Sequence, residues 1–390
     1  MSIHCYQVKK DKQSSERHGK MKKLIFYFVL ILSVFLFLTG CKKKNEYNGD
    51  GVIKDYTGDD LPDQSILTPT AQPTAEPSLE ADNHEGEVRS NLTGLWVPEE
   101  FAGKRPYAFQ FSNFKTVKNQ WGISQADIVY EALVEGGITR LLGIGENYQG
   151  DRIGSTRSAR HYFVSIADEY DAIYIHYGKT KYATAKIKEL GINDLDGETG
   201  IGSTVFYRDN TMKAPHNAFA SLDGILKGIE QKGFRTEHPD GYEPHFSFYE
   251  EDTDLTGGAS ANKVKIDFSS YNTPYFEYNA SDKLYSRFQF GGAHLDSNTG
   301  KQLVFKNIII QFVKEWDIDK NDYQTMDLED ASGKGYYISN GTMVPITWKK
   351  KEANRWMRYY DEAGNELTIN PGKTYIALFP QDRPEDVTVE

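Results

Sequence analysis

A charge-free, largely apolar run, Leu24 to Leu38, follows Met21-Lys22-Lys23 and ends on Leu38-Thr39-Gly40-Cys41. A short basic start, an apolar stretch and small residues before a cut site make a secretory signal peptide. The run of about 15 residues falls short of the roughly 20 that a helix needs to cross a bilayer core. Its end has the form of a lipobox, in which the Cys41 thiol receives a diacylglycerol, with acyl chains such as palmitate, and becomes the new N-terminus. The alternative is an uncleaved membrane anchor. Either way, the rest of the chain folds outside the cytoplasmic membrane. Residues 1–20 sit awkwardly ahead of such a signal, so Met21 is the expected translation start and residues 1–41 are set apart as leader and signal.

The chain holds two cysteines, Cys5 and Cys41. Beyond residue 41 there is no disulfide, no thiol nucleophile and no cysteine metal site, which excludes cysteine peptidases and thiol-dependent wall transpeptidases. Stability must come from an ordinary core, which a folded region of roughly 290 residues can supply. A net charge of −11 gives a nucleic-acid partner no electrostatic support. The 25 Tyr and 21 Phe suit β structure first and carbohydrate stacking second.

Residues 42–94 read as a disordered tether. They open with Lys42-Lys43-Lys44 beside the lipid headgroups and run through a Thr/Pro/Ala stretch, Thr68 to Pro77, with too little apolar surface to offset chain entropy. Residues 95–250 then alternate strands with helices, as an α/β layer does. Tyr107 to Ser112, Ile138 to Gly145 and Ala172 to His176 read as strands. Lys181 to Leu190 and Leu222 to Lys232 read as amphipathic helices. Ser124 is expected to cap a helix leading to Glu135, and Ser155 or Thr156 a helix to about Tyr170. Residues 251–390 change to strands and turns, with turn chemistry at Asp296–Gly300, Asn340-Gly341 and Asp361–Gly364. The expected class is α+β: an N-terminal α/β layered domain followed by a smaller, mostly antiparallel β domain.

Several stretches carry a resemblance. They are Ala126 to Arg140 (Ala-Asp-Ile-Val-Tyr-Glu-Ala-Leu-Val-Glu-Gly-Gly-Ile-Thr-Arg), Arg157-Ser-Ala-Arg160, His176, and Ala214-Pro-His-Asn217. Further along come Lys306 to Gln311, Gly333 to Tyr336, Thr347-Trp-Lys349 and Asn370-Pro-Gly372. The chain resembles the YerB-like lipoproteins of Gram-positive bacteria, built from two paired domains of unknown function, from Arg105 to its end. It departs from the pattern at Gly154-Ser155-Thr156, where the family has Gly-Pro-Val, and after His176, where Tyr-Gly-Lys-Thr replaces a small-residue turn. The resemblance implies a lipoprotein with two domains and supplies no reaction.

The residues offer one anion site. If Ser155 or Thr156 caps a helix, Arg157 and Arg160 stand three apart beside its unpaired N–H groups, ready for a phosphate or carboxylate. Cations there oppose the helix dipole, so two arginines call for a negative partner. That partner is either an external anion or Glu131 and Glu135, four apart on one face if helical and able to pair with Arg140, Arg157 or Arg160. His176 ends a buried strand, where α/β sheets place ligands. His216 and Asn217 follow Pro215 in a loop, with Arg208 just upstream, and a loop histidine can serve as acid, base or oxyanion donor. No metal-ligand spacing occurs and no cofactor is implied. Ser112-x-x-Lys115 has the penicillin-binding spacing but follows a strand and lacks a Lys-Thr-Gly partner.

These observations lead to an expectation: a lipoprotein on the outer face of the cytoplasmic membrane, held by the lipid on Cys41, whose α/β domain binds an anionic cell-wall component. Arg157, Arg160 and Arg140 would grip the anion, with His176, Arg208, His216 and Asn217 around it. The alternatives are a wall-active enzyme using Glu131 or Glu135 with His216 as acid and base, and a scaffold that recruits an envelope protein through an exposed apolar patch on the β domain.

Overall fold

Alternation along Tyr107–Asn113 (β1) sends Phe109 and Phe111 to one face and Ala108 to the other, all fully buried. A strand buried on both faces belongs inside a layered structure. The computed structural model describes residues 84–351 and 356–390. The expected signal peptide, Cys41 and most of the expected tether lie outside the described residues.

Ten further strands join β1 in one sheet: Ile128–Leu133 (β2), Thr139–Gly145 (β3), Ile173–His176 (β4), Asp194–Asp196 (β5), Ala259–Ser260 (β6), Asn307–Val313 (β7), Ala331–Ser339 (β8), Thr342–Lys350 (β9), Arg358–Tyr360 (β10) and Thr374–Pro380 (β11). The order is β6-β9-β8-β7-β11-β2-β3-β1-β4-β5, with β10 also paired to β9. β1 to β5 come from the first half of the chain and β6 to β11 from the second. The halves meet where β2 lies parallel to β11, Ile128 opposite Thr374. The second half is mostly antiparallel: β8 and β9 form a hairpin whose turn, Asn340-Gly341, has both residues at positive φ, 49° and 72°. That is the backbone a two-residue hairpin with Asn-Gly adopts.

Both faces of the sheet are covered. In β11, Tyr375, Ala377 and Phe379 join one core while Ile376 and Leu378 join the other. The second of these packs under His161–Glu169 (α1) and Lys181–Leu190 (α2), with Tyr162, Phe163 and Ile166 against Tyr130 and Ile144. The first packs under Leu222–Lys232 (α3) and a six-stranded sheet that includes Lys263–Ile266, Tyr275–Asn279 and Leu284–Gln289. α2 and α3 keep the bounds that the sequence predicts. Thr180 and Ser221 accept N-capping bonds from Ala183 and Gly224, and Gly191 and Gly233 end the helices in the left-handed conformation.

Three local expectations are corrected. Ser124 caps no helix leading to Glu135; Ile123–Gln125 is a single 3-10 turn and β2 follows. The β-branched and aromatic run Ile128-Val129-Tyr130 fits a strand, and β3 and β11 pair with it from both sides. α1 starts at His161 with Arg160 as its N-cap, not at Ser155 or Thr156, whose hydroxyls are buried without partners. The backbone there is already engaged: Thr156 N bonds Ala218 O, Arg157 N bonds Gln110 O and Ala159 N bonds Gly178 O, at 2.8, 2.8 and 2.9 Å. Tertiary pairing overrides the capping signal. The expected tether also ends too late, because Glu87–Arg89 pairs with Trp96–Pro98 and buries Leu92.

Candidate functional site

Antiparallel pairing builds the site. β1 and β3 set Ser112 opposite Arg140 and Asn113 opposite Thr139, at the end of the sheet where β2 turns into β3. That turn, Glu135-Gly136-Gly137, needs its glycines at φ 72° and 69° and lifts Glu135 above the sheet end. The extended segment before α1 lies beside β1, with Ser112 N bonded to Ser155 O, and delivers Arg157 and Arg160. The loop after Pro215 brings His216, whose ring stacks on Phe114 at 4.7 Å. Together these groups line a cavity of about 320 Å³.

The electrostatics are unbalanced. Three guanidiniums, Arg140, Arg157 and Arg160, face one lining carboxylate, Glu135. Arg160 takes it, donating from Nε at 2.7 Å and from Nη2 to the other oxygen. Burial pushes the Glu135 carboxyl up, but the hydrogen bonds and charge of Arg160, then Arg140, hold it below its usual range. Among the described residues, no carboxylate oxygen lies within 4.0 Å of the Arg140 or Arg157 guanidinium nitrogens. Arg140 is 8% exposed and donates to Ser158 O; Arg157 is half-buried and donates to Pro215 O at 3.2 Å. Burial, then Arg160 and Arg157, push the Arg140 guanidinium down to about 9, so it stays charged at neutral pH but at a cost. Arg157 is lowered by burial, Arg160 and Arg208. His216 is lowered by burial, Arg157 and Arg140, which keeps it neutral, and its Nδ1 sits 3.3 Å from Ser112 Oγ.

Other candidates lie elsewhere. Glu131, in β2, is fully buried beneath the site. It accepts from Asn113, Thr139 and Asn272 on one oxygen and from Arg287 and Tyr375 on the other, at 2.5–3.1 Å. With its lone pairs occupied and no exposure it is no general base, and it shares no helix face with Glu135. His176 is fully buried, its ring bonded to Gly178 O and Asp194, and it fastens β4 to β5 rather than facing the cavity. Arg208 and Asn217 bond each other at 2.8 Å and do not line the cavity; Arg208 sits over the Tyr177 ring and adds positive field toward Arg157. Among the described residues no cluster of three His, Cys, Asp or Glu side chains is placed to hold a metal. Ser112, Asn113, Phe114 and Thr139, which the sequence reading did not assign to the site, line it from the strand ends. Only the strand register, which sequence patterning fixes loosely, could have found them.

Comparison with known proteins defines the class. "Protein of unknown function (DUF3048)" matches through its N-terminal domain at residues 92–235 and its C-terminal domain at residues 264–376. The chain belongs to this family, the YerB-like lipoproteins. It is 33% identical over 296 residues to YerB of Bacillus subtilis strain 168, provisionally designated a lipoprotein, a match that covers 75% of this chain and 86% of that one. A crystal structure of YerB from Bacillus subtilis superimposes with a TM-score of 0.69 at 29% identity, over 78% of this chain and 99% of that chain. Among the described residues, no helix is long and apolar enough to cross a membrane.

Proposed function

We propose that this lipoprotein stands on the outer face of the cytoplasmic membrane, anchored through Cys41, and that its arginine pocket binds an anionic component of the cell envelope. One observation carries the reading: Arg140 and Arg157 are buried or half-buried cations with no carboxylate partner among the described residues, around a cavity large enough for an anion. Leaving water costs a charge several kcal/mol unless it is paired, so a site built this way is completed by its ligand. Guanidinium forks suit the oxygens of a phosphate or carboxylate. The test is a pull-down on digested wall fragments, with mass spectrometry of what stays bound, beside melts with sulfate or phosphate. An anion that binds only the folded state raises wild-type stability by about 2.7 kcal/mol at a hundred times its Kd. The Arg140→Leu/Arg157→Leu variant is expected to show no such rise. Cys41→Ala is expected to leave the protein unlipidated, read by its release into the medium; normal maturation of that variant would remove the anchoring reading.

An enzymatic reading draws on one contact, Ser112 Oγ to His216 Nδ1 at 3.3 Å inside the same cavity. A neutral histidine beside a serine hydroxyl is the arrangement of a base and its nucleophile. Turnover of an envelope ester or phosphate by wild type, lost in Ser112→Ala, would establish it. The scaffold reading gains nothing: of the large exposed apolar side chains among the described residues, only Trp316 belongs to residues 251–390.

A further inference from the structure

A second cavity, about 460 Å³, shares Phe114 and His216 with the arginine pocket. Its own walls are mainly apolar, Val117, Met212, Ala214 and Pro215, joined by Thr116 and Lys213. The two chambers differ in chemistry and share the Phe114–His216 ring pair, stacked 21° apart in plane. The charged chamber carries a surplus of two positive charges, three arginines against Glu135. A carboxylate or a phosphodiester brings one negative charge; a phosphate monoester brings close to two at neutral pH. From this juxtaposition we infer that the ligand is a phosphate monoester bearing an apolar group, its phosphate among Arg140, Arg157 and Arg160 and its apolar part across the ring pair against Met212 and Val117. This rests on the anion-binding reading above and adds the identity of the anion and of what it is attached to.

Both parts are separable by experiment. The purified protein without its lipid anchor segment would be titrated calorimetrically with inorganic phosphate, then methyl, ethyl, propyl and butyl phosphate. Glycerol 3-phosphate and glucose 1-phosphate carry the same head on a polar tail. Each methylene taken from water into an apolar site tightens binding by roughly threefold to fourfold when fully buried. An alkyl series that tightens by at least twofold per carbon, with the polar esters no tighter than inorganic phosphate, supports the inference. Methyl sulfate, a monoanion of the same shape, is expected to bind at least tenfold more weakly than methyl phosphate. Met212→Ser, in a half-exposed wall position, is expected to flatten the chain-length slope and leave inorganic phosphate binding as it was. Phosphate binding that is unchanged by tail length, or glycerol phosphate binding as tightly as butyl phosphate, overturns the apolar subsite while the anion site stands. Loss of phosphate binding altogether, in a folded wild type, overturns both.

Discussion

Two arginine–carboxylate sites, one at Glu131 within β2 and one at Glu135 in the turn after it, are built in opposite ways. At Glu131 a single carboxylate accepts from five side chains, and its cation, Arg287, passes a further bond to the His294 ring, which donates to Gln120 at 2.5 Å. Every one of these groups is buried, and they come from both halves of the chain. A few residues away, at Glu135, one carboxylate answers three guanidiniums around an open cavity. The first site is closed: its charges find one another, and its role is to fix how the halves join. The second leaves positive charge uncompensated, which a purely structural site has no reason to keep.

The contrast is sharpest at Arg287. Arg287→Met strands the Glu131 carboxylate in a fully buried site, and breaking one side of a buried pair costs about 3–5 kcal/mol. Urea unfolding of the variant is the measurement. A loss below about 1 kcal/mol, the scale of an exposed pair, would mean that the closed network contributes little and would erase the comparison.

Next in size is a difference within the pocket. Arg160→Ala removes the partner of a carboxylate whose side chain is 24% exposed, so part of the cost is recovered by hydration. A loss of about 1–3 kcal/mol is expected. Arg157→Ala removes a cation that opposes its neighbours and pairs with no carboxylate among the described residues; its stability without ligand is expected to stay within about 0.5 kcal/mol of wild type or to rise. Equal and large losses in both variants would make the pocket a second structural network.

The sequence made much of this legible, for reasons that differ by element. α2 and α3 carry their own caps, Thr180 with Gly191 and Ser221 with Gly233, so local chemistry settles their ends. Arg140, Arg157, Arg160 and His216, grouped from the sequence, line one cavity in the structure. The route by which they assemble was not readable. Thr156 looks like a cap, yet its backbone is taken up by Ala218, a partner more than sixty residues away. Glu131 and Glu135 fit a helical spacing, yet β-branched neighbours and two flanking strands make Glu131 part of a strand that faces the core. His176 sits where α/β sheets place ligands, but it is spent on holding a strand end. Long-range pairing leaves no local mark, and each correction traces to it.

The smallest expected effect distinguishes the histidines of the two sites. His294, in the closed site, is fully buried beside Arg287 and held neutral far below its ordinary range. His216 is half-buried and only lowered, by burial and by Arg157 and Arg140. Without ligand, a depressed histidine contributes stability above pH 6.5 that is lost as pH falls, because the unfolded chain takes up the proton first. An anion among the arginines offsets the repulsion and raises the His216 pKa, so binding and protonation help each other. Anion affinity is therefore expected to be flat well above pH 6.5, to rise as pH falls through the window between the bound and free values, and to level off below it. Sulfate is the suitable probe, since its own charge is constant over that range. In His216→Asn the slope between pH 7.5 and pH 5 is expected to vanish (about zero against a wild-type gain of a few fold), while binding at pH 7.5 persists. A slope that survives this substitution would assign the titration to another group, and a slope of opposite sign would show that the anion does not sit beside His216.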